Sequence, residues 1–153
     1  AQRIAAGAGV TGMVAGQCMD LCAERDGADY AVDQIHAAKT GAMICAACAA
    51  GALIGGADAS QVDACTRYGK NLGLAFQIVD DILDVTGDSD TLGKPIGSDM
   101  RNQKRTFVSE YGLPRARQMA QEATHNAVAA LEKLPSDAGV LRALAWQMLE
   151  RRK

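Results

Sequence analysis

Three carboxylates, Asp80, Asp81 and Asp84, fall within five consecutive residues, Asp80-Asp81-Ile82-Leu83-Asp84, preceded by Phe76-Gln77-Ile78-Val79. On a helix advancing about 100° per residue, Gly73, Gln77, Asp80, Asp81 and Asp84 share an arc of roughly 100°. Leu72, Leu74, Ala75, Phe76, Ile78, Val79, Ile82, Leu83 and Val85 cover the rest of the circumference. A helix apolar nearly all round belongs in a domain interior, so its polar stripe is expected to face an internal cavity. Like charges one turn apart repel, more strongly where water is scarce, and the cluster calls for a cation. Hard divalent ions with oxygen ligands fit best, and Mg²⁺ is commonly held by one or two carboxylates plus substrate phosphates. The alternative, a solvated acidic turn, is disfavoured by the apolar flanks.

Lys39 is the second residue that calls for a partner. It is an ammonium in an otherwise apolar stretch, Ile35 to Ile54, and a buried lysine needs an anion. Thr40 follows it; alone, such a threonine would bond back to its own helix.

The stretch Phe76-Gln77-Ile78-Val79-Asp80-Asp81-Ile82-Leu83-Asp84-Val85-Thr86-Gly87-Asp88 resembles the second aspartate-rich motif of the trans-isoprenyl diphosphate synthases. Three further pieces agree in order and spacing. Gly12-Met13-Val14-Ala15-Gly16-Gln17-Cys18-Met19-Asp20-Leu21 is similar to that family's glycine-rich helix, and Ile35-His36-Ala37-Ala38-Lys39-Thr40-Gly41-Ala42 to its Lys-Thr-Gly motif. Leu92-Gly93-Lys94-Pro95-Ile96-Gly97-Ser98-Asp99, with Lys104-Arg105-Thr106 beyond it, resembles the basic loop after the aspartates. The resemblance runs essentially end to end and is strongest to bacterial short-chain enzymes of the farnesyl diphosphate synthase type.

The resemblance implies an all-α antiparallel bundle of the isoprenoid synthase type and a Mg²⁺-dependent prenyltransferase. An allylic diphosphate would ionise by loss of inorganic diphosphate, the double bond of isopentenyl diphosphate would attack the resulting cation, and a proton would then leave, giving a short-chain, C15-type product. Asp80, Asp81 and Asp84 would ligate the metal, while Lys39, Lys94 and Lys104 would bind diphosphate. Thr40 and Gln77 would turn oxygen dipoles toward the developing cation. His36 reads as packing or support, and Arg101 and Arg105 as solvated surface. Gly73 could leave room on the cavity face or let a neighbouring helix approach. The family's first aspartate-rich motif has no counterpart upstream of Asp80, so the 153 residues are expected to be the C-terminal half of one larger domain, inactive without the upstream half. A homodimer is the expected assembly. A related terpene cyclase and a non-catalytic regulatory subunit are the alternatives; the all-aspartate motif argues against the first, and retention of all three carboxylates against the second.

Composition narrows the remaining classes. A net charge of −2 and 4% aromatic residues give no footprint for nucleic acid. The alternation of β-branched and aromatic residues that marks strands is missing. The uncharged run 41–57 has 17 residues, 11 of them Ala or Gly, against roughly 20 apolar residues for a bilayer span; a tightly buried helix is expected instead, with no transmembrane segment. Cys18 with Cys22 and Cys45 with Cys48 mimic a zinc pattern, but both pairs lie in helical stretches without knuckle turns. They read as free thiols in a cytoplasmic protein.

These residues need positioning. One helix is expected to about Glu24, a second from Ala31 or Val32 to Leu53, and a third from a cap at Asp58 or Ser60 to about Val85. Residues 86–103 read as a functional polar loop. A short helix follows near 106–111, then one from Pro114 to about Leu134, then a last one ending near Arg152.

Overall fold

The computed structural model describes residues 1–87, 104–134 and 137–151. Most of the polar loop, with Lys94 and Arg101, lies outside the described residues. Every regular element among the described residues is helical, as expected.

Helix α1 (Gln2–Ala8) and helix α2 (Met13–Asp26) are separate, so the single opening helix is corrected. The chain turns at residues 9–12, where two glycines in four positions remove the local preference for helix. Helix α3 (Val32–His36) runs through a π-helical turn, Ala37–Gly41, into α4 (Ala42–Ile54). Helix α5 (Ala59–Thr86) is the longest. Asp58 caps it: its side chain accepts from the Gln61 amide at 2.9 Å, while Gln61 Oε1 accepts from the Asp58 amide at 3.0 Å. Two orphan donors are thus satisfied reciprocally. Helix α6 (Phe107–Tyr111) opens with the same device, built from Thr106 and Ser109. Helix α7 (Leu113–Ala130) carries Pro114 in its first turn and tightens into a 3₁₀ turn, Leu131–Lys133. The last helix, α8, covers Gly139–Leu149, ending before Arg151.

Helix α5 organises the packing. Its Gly69 and Gly73 sit against Cys45 and Gly41, so α4 and the π-turn run antiparallel to it. A Cβ on Gly73 would lie 3.0 Å from Gly41 Cα; close helix approach is therefore the role of this glycine. On the other side, Tyr68 and Leu72 pack with Ala127, Ala130, Leu131 and Ala145. One to three turns further along, Ile78 and Val79 pack with Val32, Phe107, Ala116 and Ala120. The order places α7 antiparallel to α5 and stacks two apolar clusters along one helix. Alanine dominates the α7 face, which brings the two axes close.

The run Val32–Ile54 has the length and composition to cross a membrane. Here one face lies on α5 through Gly41, Cys45 and Cys48, and Ala46 is buried against Gly7 of α1, whereas Leu53 and Ile54 are exposed. The tightly buried helix expected from sequence is therefore half-buried. All five cysteines are free, and no group of three His, Cys, Asp or Glu side chains among the described residues is arranged to hold a metal.

Candidate active site

Three of the expected site elements meet where the π-turn crosses α5. A π-turn closes its hydrogen bonds one residue later than an α-turn, and such turns recur at functional sites. Here it sends two consecutive side chains to different helices. Lys39 Nζ reaches back to Asp20 Oδ2 of α2 at 2.5 Å. Thr40 Oγ1 instead donates to Gln77 Oε1 of α5 at 3.2 Å, so it does not bond back to its own helix. Gln77 Nε2 then donates to Asp81 Oδ1, one turn on, at 3.3 Å. Asp81 Oδ2 accepts the backbone amide of Phe107 at 2.8 Å. A continuous polar chain thus joins the π-turn, the aspartate helix and the start of α6.

The three carboxylates have different environments. Asp81 is only 3% exposed and both its oxygens face protein donors. Asp80 is partly exposed and forms an ion pair with Arg151, whose guanidinium also lies 4.8 Å from the Phe76 ring centroid. Burial lowers the Arg151 pKa. Asp84, one turn beyond Asp80, is partly exposed. Among the described residues no three such side chains are arranged to hold a metal; Asp80 and Asp84 lie one turn apart and partly exposed, with Asp81 buried beside them. That set fits a hard divalent ion that completes its shell with phosphate oxygens and water.

His36 stacks on Phe107 at 5.6 Å between centroids, with Nε2 3.9 Å from Asp81 Oδ2. Desolvation lowers its pKa to about 4, against a weaker opposing pull from Asp20, so the ring is neutral at pH 7 and its contact with Asp81 is not a salt bridge. This agrees with its reading as a packing residue. Lys104 Nζ pairs with Glu24 Oε1 at 3.1 Å. Arg105 bridges Asp29 and Glu110, which ties the start of α6 to the turn after α2.

Sequence reasoning did not single out Asp20, Glu24, Phe107 or Arg151. Asp20 lies inside the quoted glycine-rich stretch, and its signal was there: Gly16, Asp20 and Glu24 recur at four-residue intervals on one face. A Cβ on Gly16 would lie 2.1 Å from the Lys39 amide nitrogen. That contact seats α2 against the π-turn and brings the next two turns of the stripe under the lysines. Arg151 carried no such pattern.

Comparison with known proteins agrees with this arrangement. The polyprenyl synthetase family model matches residues 7–145. The farnesyl diphosphate synthase of Haemophilus influenzae is 40% identical over 154 residues, covering 99% of this chain and 52% of the relative. The chain spans about half the length of the curated relatives it matches. An FPP/GFPP synthase from Zymomonas mobilis superposes with a TM-score of 0.80 at 34% identity, over 96% of this chain and 49% of that one. A polyprenyl synthase from Caulobacter crescentus, solved with calcium and isoprenyl diphosphate, gives 0.81 at 28% identity, over 92% and 56%. With the Lys-Thr turn, the glutamine and the aspartate helix in one connected network, this chain belongs to the polyprenyl synthetase family.

Proposed function

We propose that the protein containing this chain is a trans-prenyltransferase that condenses isopentenyl diphosphate with an allylic diphosphate, giving a short-chain product of the C15 class. The observation that carries this reading is the bond from Thr40 to Gln77. It sets two neutral oxygen dipoles beside a carboxylate helix with a lysine adjacent. Neutral dipoles can stabilise a developing allylic cation without trapping it, as a carboxylate nucleophile could. Lys39 binds the allylic diphosphate and takes the negative charge that builds on it as the carbon–oxygen bond breaks and the electron pair leaves with the diphosphate. Lys104, paired with Glu24, adds positive charge on the α2 side, and Lys94 is a further diphosphate candidate on its sequence motif alone. The apolar flanks of α5 help exclude water from the cation.

Asp80 and Asp84 are the principal candidates to hold Mg²⁺, and Asp81 holds the helix in place through Gln77 and Phe107. When bound, Mg²⁺ neutralises diphosphate and so assists its departure. The Caulobacter relative's calcium and isoprenyl diphosphate support a divalent ion with a prenyl diphosphate. The working assembly is a homodimer, completed by sequence equivalent to the rest of its relatives' length, and its free thiols suit the cytoplasm.

The test is condensation of labelled isopentenyl diphosphate with dimethylallyl and geranyl diphosphates by the full-length polypeptide, with and without Mg²⁺. Metal-dependent formation of a C15 diphosphate is expected. Absence of any condensation, with both substrates and metal present, would overturn the assignment.

A further inference from the structure

The two described lysines assigned to diphosphate are both held by carboxylates of one helix. Asp20 lies 2.5 Å from Lys39 and Glu24 lies 3.1 Å from Lys104. The carboxylates are one turn apart on α2, in register with Gly16, whose missing side chain lets α2 lie on the π-turn. The Asp20 side chain is 16% exposed and that of Lys39 31%. This is a charge-assisted contact partly withdrawn from water, and such contacts are stronger than exposed pairs. The Lys104–Glu24 side chains are exposed to similar degrees, 32% and 29%.

We infer that Asp20 and Glu24 are positioning residues that act as placeholder anions, holding Lys39 and Lys104 in the empty site until a diphosphate replaces them. The inference rests on the diphosphate reading of those lysines. An ammonium left alone beside an apolar helix would either be desolvated without a partner or swing into solvent. The carboxylates prevent both outcomes, and keep the two cations on the α2 side of the site. Binding is then an exchange of anions. Each lysine gives up a carboxylate and takes phosphate oxygens, and each carboxylate returns to water. Two terms therefore oppose diphosphate in the native protein: separation of the ion pairs, and repulsion between the carboxylates and the incoming anion. The same two terms favour release of inorganic diphosphate after it has formed.

The sign of this effect makes it testable. A carboxylate that merely braces the fold would weaken ligand binding when neutralised; a placeholder would strengthen it. Inorganic diphosphate is titrated calorimetrically into the full-length polypeptide in metal-free buffer, comparing wild type with Asp20→Asn, Asp20→Glu, Glu24→Gln and Lys39→Met. Asp20→Asn is expected to tighten binding about tenfold, the scale of one charge-assisted contact. Glu24→Gln should tighten it by about threefold, as for a longer and looser pair. Asp20→Glu, which keeps the charge, should restore affinity to near the wild-type value, and added salt should narrow all these differences. Thermal melting of each variant separates a binding change from a folding defect. If wild type binds diphosphate through Lys39 but Asp20→Asn binds equally or more weakly at unchanged melting temperature, the placeholder role is overturned alone. If Lys39→Met binds as well as wild type, the diphosphate reading of the site fails and takes this inference with it.

Discussion

Asp80 and Asp81 are adjacent in sequence yet meet different partners, and their variants should fail in different ways. Asp80 faces Arg151 near the surface, whereas Asp81 is buried and accepts from Phe107 and Gln77. Asp80→Asn removes a proposed metal ligand and one charge from a repelling cluster. Turnover should fall by about 100-fold or more, the scale of a lost electrostatic contact in the transition state, with little change in melting. Asp81→Asn places an amide where two donors converge, which should cost about 1–3 kcal/mol of stability. Steady-state assays with thermal melts check both, and equal stability losses would contradict the division of labour. The acidic run was legible because three carboxylates on an apolar helix form a pattern within one segment. Their separate environments were not legible, since they depend on Phe107 and Arg151, which reach α5 only through the tertiary fold. For Asp20 and Glu24 the four-residue stripe with Gly16 was legible, but not the lysines they meet, which come from the π-turn and the start of α6.

Helices were the most readable level. The Asp58 cap, the extent of α5, the short α6 and the Pro114 start of α7 all follow from local chemistry that acts over three or four residues. The π-turn was not readable, because Ala37–Gly41 has the composition of an ordinary helix and the extra residue per turn is settled by what Lys39 and Thr40 reach. The break between α1 and α2 was missed for a related reason: glycines at 9 and 12 read equally well as close-packing positions. Two glycine substitutions separate packing from propensity. Gly16→Ala would drive a methyl group into the Lys39 backbone and should destabilise by about 2–3 kcal/mol through overpacking. Gly51→Ala in α4 meets nothing within 4 Å and should stabilise by about 0.5–1 kcal/mol, as a helix-interior glycine replaced by the best helix former. Denaturant titration of both variants gives the two signs; a neutral Gly16→Ala would mean that α2 does not bear on the π-turn.

At the scale of the molecule, α5 ties the two apolar clusters together, and Tyr68 anchors one of them. Its hydroxyl donates to the Leu141 carbonyl at 2.8 Å, and burial raises its pKa from 10.0 to about 12. A phenol that holds its proton more tightly when folded contributes stability below pH 10 that is lost as pH rises toward 12. Tyr68→Phe should flatten that alkaline decline, while costing about 0.5–1.5 kcal/mol at neutral pH for the lost hydrogen bond; urea titrations at pH 7, 10 and 11 read both. A variant with an unchanged alkaline slope would place the titration elsewhere. Family and helical architecture were accessible from the sequence because four motifs recur in order; how the helices share the core was not, since alanine-rich faces look alike until they are paired. Neither apolar cluster includes a residue of α1 or α2, and the fully buried residues of those two helices are single glycines, Gly7 and Gly16. The first 26 residues are therefore a separable layer in the sense of hydrogen exchange. Their amides should trade protons for deuterons through partial opening, while those of α5 and α7 wait for global unfolding. Because the Lys39–Asp20 pair ties α2 to the π-turn, an anion that takes Lys39 from Asp20 should quicken exchange in α2 and leave α7 unchanged.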